Sequence, residues 1–158
     1  MTSTQAATHI VRSGLLMTAI LIGNSVFAEP ILVDCSAGQS LNRTLSHLDN
    51  RTPAVIKVKG TCTEYVRVKG FDDLTLRGLN GAKLIQPDTL PPPSFSAVLL
   101  IGASRRVTIE GLKVSATTAQ NGIGIGQASS GIRLRNLTLE GGGSALSSSR
   151  RARYRWRA

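Results

Sequence analysis

The sequence predicts an all-β solenoid, in which short parallel strands stack from one repeat to the next. Three observations carry this prediction. Three segments align without gaps: GFDDLTLRGL (70–79), ASRRVTIEGL (103–112) and ASSGIRLRNL (128–137). Each holds apolar residues at i, i+2 and i+5: Leu74, Leu76, Leu79; Val107, Ile109, Leu112; and Ile132, Leu134, Leu137. The i, i+2 spacing puts two side chains on one strand face, whereas a helix needs i, i+3, i+4. Finally, Gly78, Gly111 and Asn136 fall at one place in the pattern, where a bend calls for residues that tolerate positive φ. A β-sandwich of short alternating strands is the competing all-β architecture. It does not explain bends that stay in phase.

Taken in chain order, residues 1–28 read as an export signal. His9 and Arg12 precede GLLMTAILIG (14–23), and Val26-Phe27-Ala28 forms a small-residue exit. The apolar run is about ten residues, short of the ~20 needed to span a bilayer. An uncleaved anchor or a buried helix is the alternative. With the signal removed, no transmembrane span is expected, and the protein is placed in the periplasm or outside the cell.

Residues 29–53 form a cap. Leu41, Leu45 and Leu48 give an amphipathic helix, ended by Asn50 and Pro53. Cys35 and Cys62 flank it, and in an exported chain they are expected to form a disulfide. Two buried thiols are the alternative.

Residues 54–140 hold the repeats. Strands are expected at Val55–Val58, Tyr65–Val68, Val98–Ile101 and Gly122–Ile125, besides those of the three segments. Three rows result, anchored at 56, 84, 112 and 137; at 66, 99 and 123; and at 74, 107 and 132. Pro91-Pro92-Pro93 cannot continue a ladder, so the stretch around it is a loop pushed out of the coil.

Residues 141–158 are expected to be a disordered Gly/Ser stretch followed by an Arg-rich tail. Three readings stay open for the tail: a polyanion or membrane-surface patch, a solvated end, and an out-of-frame translation.

The chain has 158 residues, with 19 basic and 9 acidic side chains and a net charge of +10. That length suits one domain, and 41% apolar residues permit a core. Five of the last nine residues are arginine. Much of the basic excess therefore lies outside the repeats, which argues against a specific nucleic-acid-binding fold. Aromatics are only 4%, against base-stacking modules and aromatic-lined sugar clefts. Two His and two Cys do not build a four-ligand zinc site of the usual spacing.

VRVKGFDDLTLRGLNGAKL, LLIGASRRVTIEGLKV and IGIGQASSGIRLRNLTL resemble the right-handed parallel β-helix of the pectate-lyase-like superfamily. The resemblance covers residues 54–140, and the short helix before them is similar to the N-terminal cap of such folds. It implies an N-terminal portion with a cap and about three coils, from a parent that binds or processes acidic polysaccharide. It also implies a groove on the outer face of one sheet, where carboxylates hold Ca²⁺ or perform hydrolysis.

No family catalytic motif carries over onto this sequence, so no catalytic residue and no metal ligand is assigned. No cofactor is expected, and Ca²⁺ only if a lyase-like site exists. The candidate binding residues are the outward positions Arg77, Glu110, Arg133 and Arg135, together with Asp72 and Asp73, the only adjacent carboxylates. Arg77, Glu110 and Arg135 stack as a row that could hold uronates. The alternative is a charge-alternating ladder pairing across coils. GIGIG (122–126) lacks the Lys-Ser/Thr of a phosphate loop and reads as strand and turn. His47 is expected to be exposed. The last coil leaves an open edge. Self-association through that edge, by a small non-enzymatic scaffold, is the rival to polysaccharide binding.

Overall fold

The computed structural model describes residues 29–91, 96–117, 120–142, 146–148 and 154–157. The expected signal, residues 1–28, lies outside them. The order is β1 (Ile31–Asp34), a 3-10 turn (Cys35–Ala37), α1 (Leu41–His47), β2 (Ala54–Thr63), β3 (Val66–Lys69), β4 (Asp72–Ile85), β5 (Ala97–Gly102) and β6 (Arg105–Glu110). There follow β7 (Lys113–Ala116), β8 (Asn121–Ile125), β9 (Ile132–Arg135), β10 (Thr138–Gly141), β11 (Leu146–Ser148) and β12 (Tyr154–Arg157). The fold is thus mostly β. Among the described residues no helix is long and apolar enough to cross a membrane.

Among the described residues all the strand pairings are parallel. One sheet runs β1-β2-β4-β6-β9-β12, with β7 on β4 and β10 on β7; the other runs β3-β5-β8-β11. Parallel neighbours cannot be joined by a tight hairpin. Here the connection between them is the remainder of a repeat.

In-register pairing turns the sequence repeat into apolar columns. Ile31, Ile56, Leu76, Ile109 and Leu134 form one. Val66, Leu99 and Ile123, and Val68, Ile101 and Ile125, form two in the second sheet. The interior members are fully buried, and burying each large aliphatic side chain favours folding by roughly 1.5–3 kcal/mol. The rows expected through 66, 99 and 123 and through 74, 107 and 132 agree with these registers.

The row expected through 56, 84, 112 and 137 is corrected. β2 is one strand with a register shift between Lys59 and Thr61, so Ile56 joins Leu76 while Cys62 joins Leu84. Leu84 then meets Val114, which meets Leu139, two residues beyond the expected anchors. Gly60, at φ 79°, provides the irregularity. The bend is corrected too. Gly111 and Asn136 have φ 65° and 49° as expected, but the first repeat bends at Asn80 and Gly81, at φ 50° and 74°.

A second turn recurs that the residue types hide. Gly70, Ala103 and Ala128 have positive φ, and so, three residues on, do Asp73, Arg106 and Gly131. Inside this turn Ser104 is fully buried. Its hydroxyl accepts from the Phe71 N–H at 3.2 Å and donates to the Gly102 carbonyl at 2.9 Å.

The helix expected over the leucines spans Leu41–His47, with Leu41 and Leu45 buried. Ser40 caps it, its hydroxyl accepting from the Arg43 N–H at 3.1 Å. The expected Cys35–Cys62 disulfide is present and ties this segment to β2. At the other end, β11 pairs with β8 and β12 with β9. The tail therefore differs from a wholly unstructured end: residues 146–148 and 154–157 each extend a sheet by one strand. Tyr-Arg-Trp-Arg has the period-two alternation that an open parallel edge can recruit.

Candidate functional site

The outer face of the first sheet carries the expected charged columns. Thr75, Thr108 and Arg133 share one, and Arg77, Glu110 and Arg135 share the next. Arg77 and Glu110 form an ion pair across the rungs. Arg135 sits one rung beyond Glu110. Among the described residues no carboxylate is in ion-pair reach of Arg133 or Arg135.

Asp72 and Asp73 are turned to another use. Asp72 pairs with Arg105 at 2.7 Å and Arg106 at 2.6 Å, and Asp73 lies 3.7 Å from Arg106. Both acids thus tie one repeat to the next. Ca²⁺ wants six to eight oxygens, and carboxylates already neutralised by guanidinium groups do not fit it. Two further ion pairs bridge repeats at the edges. Lys59 holds Asp34 at 2.9 Å and Lys113 holds Glu140 at 2.6 Å. These direct hydrogen bonds, foremost among the causes, hold both carboxyls below their ordinary range.

Cys35, Cys62 and Glu64 also lie close together. The cystine has no thiolate to offer a metal. Glu64 is occupied as well: its oxygens accept from the Leu41 N–H at 2.7 Å, the Ser40 hydroxyl at 2.7 Å and the Asn42 N–H at 3.2 Å. This cluster is a structural joint.

The second sheet offers a concave surface that sequence reasoning missed. β3 presents Arg67 and Lys69 in alternation with the buried Val66 and Val68. α1 lies alongside, and the Arg67 N–H donates to Asn42 Oδ1 at 3.2 Å. Between them is a cleft of about 580 Å³ whose lining includes Arg43, Ser46, Arg67, Lys69 and Phe71. A second depression, of about 240 Å³, is lined by Arg67, Lys69, Leu100, Gly102 and Ala103 and so shares two cations with the cleft. The columns here run Arg67, Leu100, Gly124 and Lys69, Gly102. A Cβ on Gly102 would meet nothing within 4 Å.

Among the described residues, three cations line this groove and no carboxylate does. Among the described residues neither Arg43 nor Lys69 has an acid in ion-pair reach. A concave site of one sign focuses potential and concentrates ligands of the other. The groove can hold carboxylates or sulfates, but its lining offers no carboxylate to hold a metal ion or activate water. V-R-V-K (66–69) was the available signal, since alternation puts both cations on one face. That α1 borders that face is a tertiary fact. Comparison with protein-family models, curated proteins and solved structures found no match.

Proposed function

We propose that this chain is an exported right-handed parallel β-helix protein that binds acidic polysaccharide in the groove between α1 and the second sheet. One observation carries the reading: among the described residues, Arg43, Arg67 and Lys69 line a cleft to which no acid contributes. Parallel pairing of successive repeats supports the β-helix, and the disulfide supports an oxidising compartment. Binding is favoured over cleavage because hydrolysis needs two carboxyl groups at a set separation. The adjacent pair, Asp72 and Asp73, is committed to arginines elsewhere.

Affinity electrophoresis through gels containing polygalacturonate or a neutral galactan tests this. Retardation is expected in the acidic gel alone, and it should be lost in an Arg43→Gln/Arg67→Gln/Lys69→Gln variant. Equal retardation by the neutral polymer, or a variant that still binds, rules out the groove. Release of unsaturated or reducing ends from the polymer would replace binding with catalysis.

A further inference from the structure

The outer face of the second sheet changes character from one rung to the next. β3 places Arg67 and Lys69 on it, and the register sets Leu100 beside Arg67 and Gly102 beside Lys69. One rung further, Gly124 lies beside Leu100. A Cβ on Gly124 would stand 3.1 Å from Leu100 Cδ1, so the leucine side chain reaches into the space that this glycine leaves. Rungs are ~4.8 Å apart. A charged step and an apolar step are therefore close enough to touch neighbouring substituents of one sugar unit.

The two hollows that share Arg67 and Lys69 differ in the same way. The cleft beside α1 adds polar side chains, among them Ser40, Asn42 and Ser46. The second depression, of about 240 Å³, adds only Leu100, Gly102 and Ala103. Among the described residues its lining thus holds no polar side-chain atom besides those of the two cations. Sugar hydroxyls pressed into it would leave water for no partner, which is unfavourable. A small apolar group has no such loss and gains from burial. Gly102 does not have a positive φ, and a Cβ there would meet nothing within 4 Å. The backbone does not demand glycine at this position; the missing side chain is what leaves the depression open.

We propose that the second depression is a subsite for an acyl substituent, and that the acidic polysaccharide bound here carries O-acetyl groups beside its carboxylates. The inference rests on the polysaccharide-binding reading above and narrows its ligand. The carboxylate meets Arg67 and Lys69, and the acetyl methyl lies against Leu100 in the room left at Gly102. Acetyl esters of ring hydroxyls are favoured over methyl esters of the carboxyl group, because the latter remove the charge that the cations recognise. Leu100 and Gly102 are specificity-determining residues in this account.

Two hexameric oligogalacturonates test it, one plain and one acetylated on its secondary hydroxyls, each labelled with a fluorophore at the reducing end. Each is titrated with the full chain, and fluorescence anisotropy gives the two dissociation constants. Burying one methyl group changes affinity about fourfold. The acetylated oligomer is therefore expected to bind about fourfold more tightly, or better where more than one acetyl group is seated. In a Gly102→Leu variant, whose side chain fills the depression, that preference should vanish while the plain oligomer binds as before. An acetylated neutral galactan oligomer should not bind, since it offers the cations no charge.

The comparison of the two acidic oligomers on the wild type needs no variant. Equal affinities, or tighter binding of the plain oligomer, overturn the acyl subsite and leave the binding of acidic polysaccharide standing. A preference that persists in Gly102→Leu protein with an unchanged circular dichroism spectrum also overturns it, because the acetyl group is then read elsewhere. Neutral acetylated galactan that binds as tightly as the acidic form overturns the pairing of acyl group and carboxylate. Binding of neither acidic oligomer removes the polysaccharide reading itself, and the subsite with it.

Discussion

The Glu64 carboxylate accepts the Leu41 backbone N–H at 2.7 Å, across 23 residues of chain. Its second oxygen takes the Ser40 hydroxyl and the Asn42 N–H. The first N–H groups of a helix have no acceptor within it. Those of α1 are satisfied from the turn after β2, which bonds the cap to the first repeat. Glu64→Ala should lower stability by about 1–2 kcal/mol, the range for a charged cap. Urea unfolding checks this as a lower midpoint with an unchanged slope. An unmoved midpoint would mean that water serves the helix start equally well.

Glu64 also marks the limit of what the sequence made legible. The columns through Leu74, Val107 and Ile132 were readable because a period of two survives without gaps. The stack of Arg77, Glu110 and Arg135 follows from the same alignment. That alignment also sets Asp72 and Asp73 against Arg105 and Arg106, so the ion pairs that occupy these acids could have been read from it. The placement of Ile56 was not readable, because one left-handed glycine, Gly60, shifts the register inside a single strand. Nor was the groove, since Arg67 and Lys69 become a site only once α1 packs beside them. β12 was hidden by composition: an Arg-rich tail looks solvated until its alternation meets an open edge.

Gly78 and Gly102 offer a contrast within one fold. A Cβ on Gly78 would collide with the Gly111 carbonyl and crowd Leu112, where backbones of adjacent repeats approach closely. A Cβ on Gly102 would meet nothing within 4 Å. Gly78→Ala should therefore cost about 3 kcal/mol through a forced backbone shift, whereas Gly102→Ala should stay within about 0.5 kcal/mol. Thermal melts of the two variants decide it. Equal melting temperatures would show that the repeats slide apart at little cost.

The disulfide should matter more than any single cap contact. Cys35 and Cys62 are 27 residues apart. Closing a loop of that size in the unfolded chain stabilises the fold by about 3–4 kcal/mol in the chain-entropy model. Because β1 and the turn at Cys35 precede α1, losing the bond should release the cap before the later repeats. A Cys35→Ser/Cys62→Ser variant should unfold at lower urea. Hydrogen exchange should accelerate first in 31–48 and only afterwards in β6 and β9. Uniform acceleration would show the cap and repeats to be one cooperative unit.

Acid should loosen the edges of the fold first. The Lys59 hydrogen bond to Asp34 and the Lys113 hydrogen bond to Glu140 keep both carboxyls ionised below their ordinary values of 3.8 and 4.5. The folded chain thus binds these protons more weakly than the unfolded one. The stabilisation is complete above the ordinary values and is lost as pH falls through the lowered ones. Both pairs are exposed, so the effect is small and salt reduces it. The wild type should melt slightly above an Asp34→Asn/Glu140→Gln variant near about pH 6, and the gap should close well below about pH 4. A gap that widened on acidification would have the wrong sign and would remove these two pairs from the account of stability.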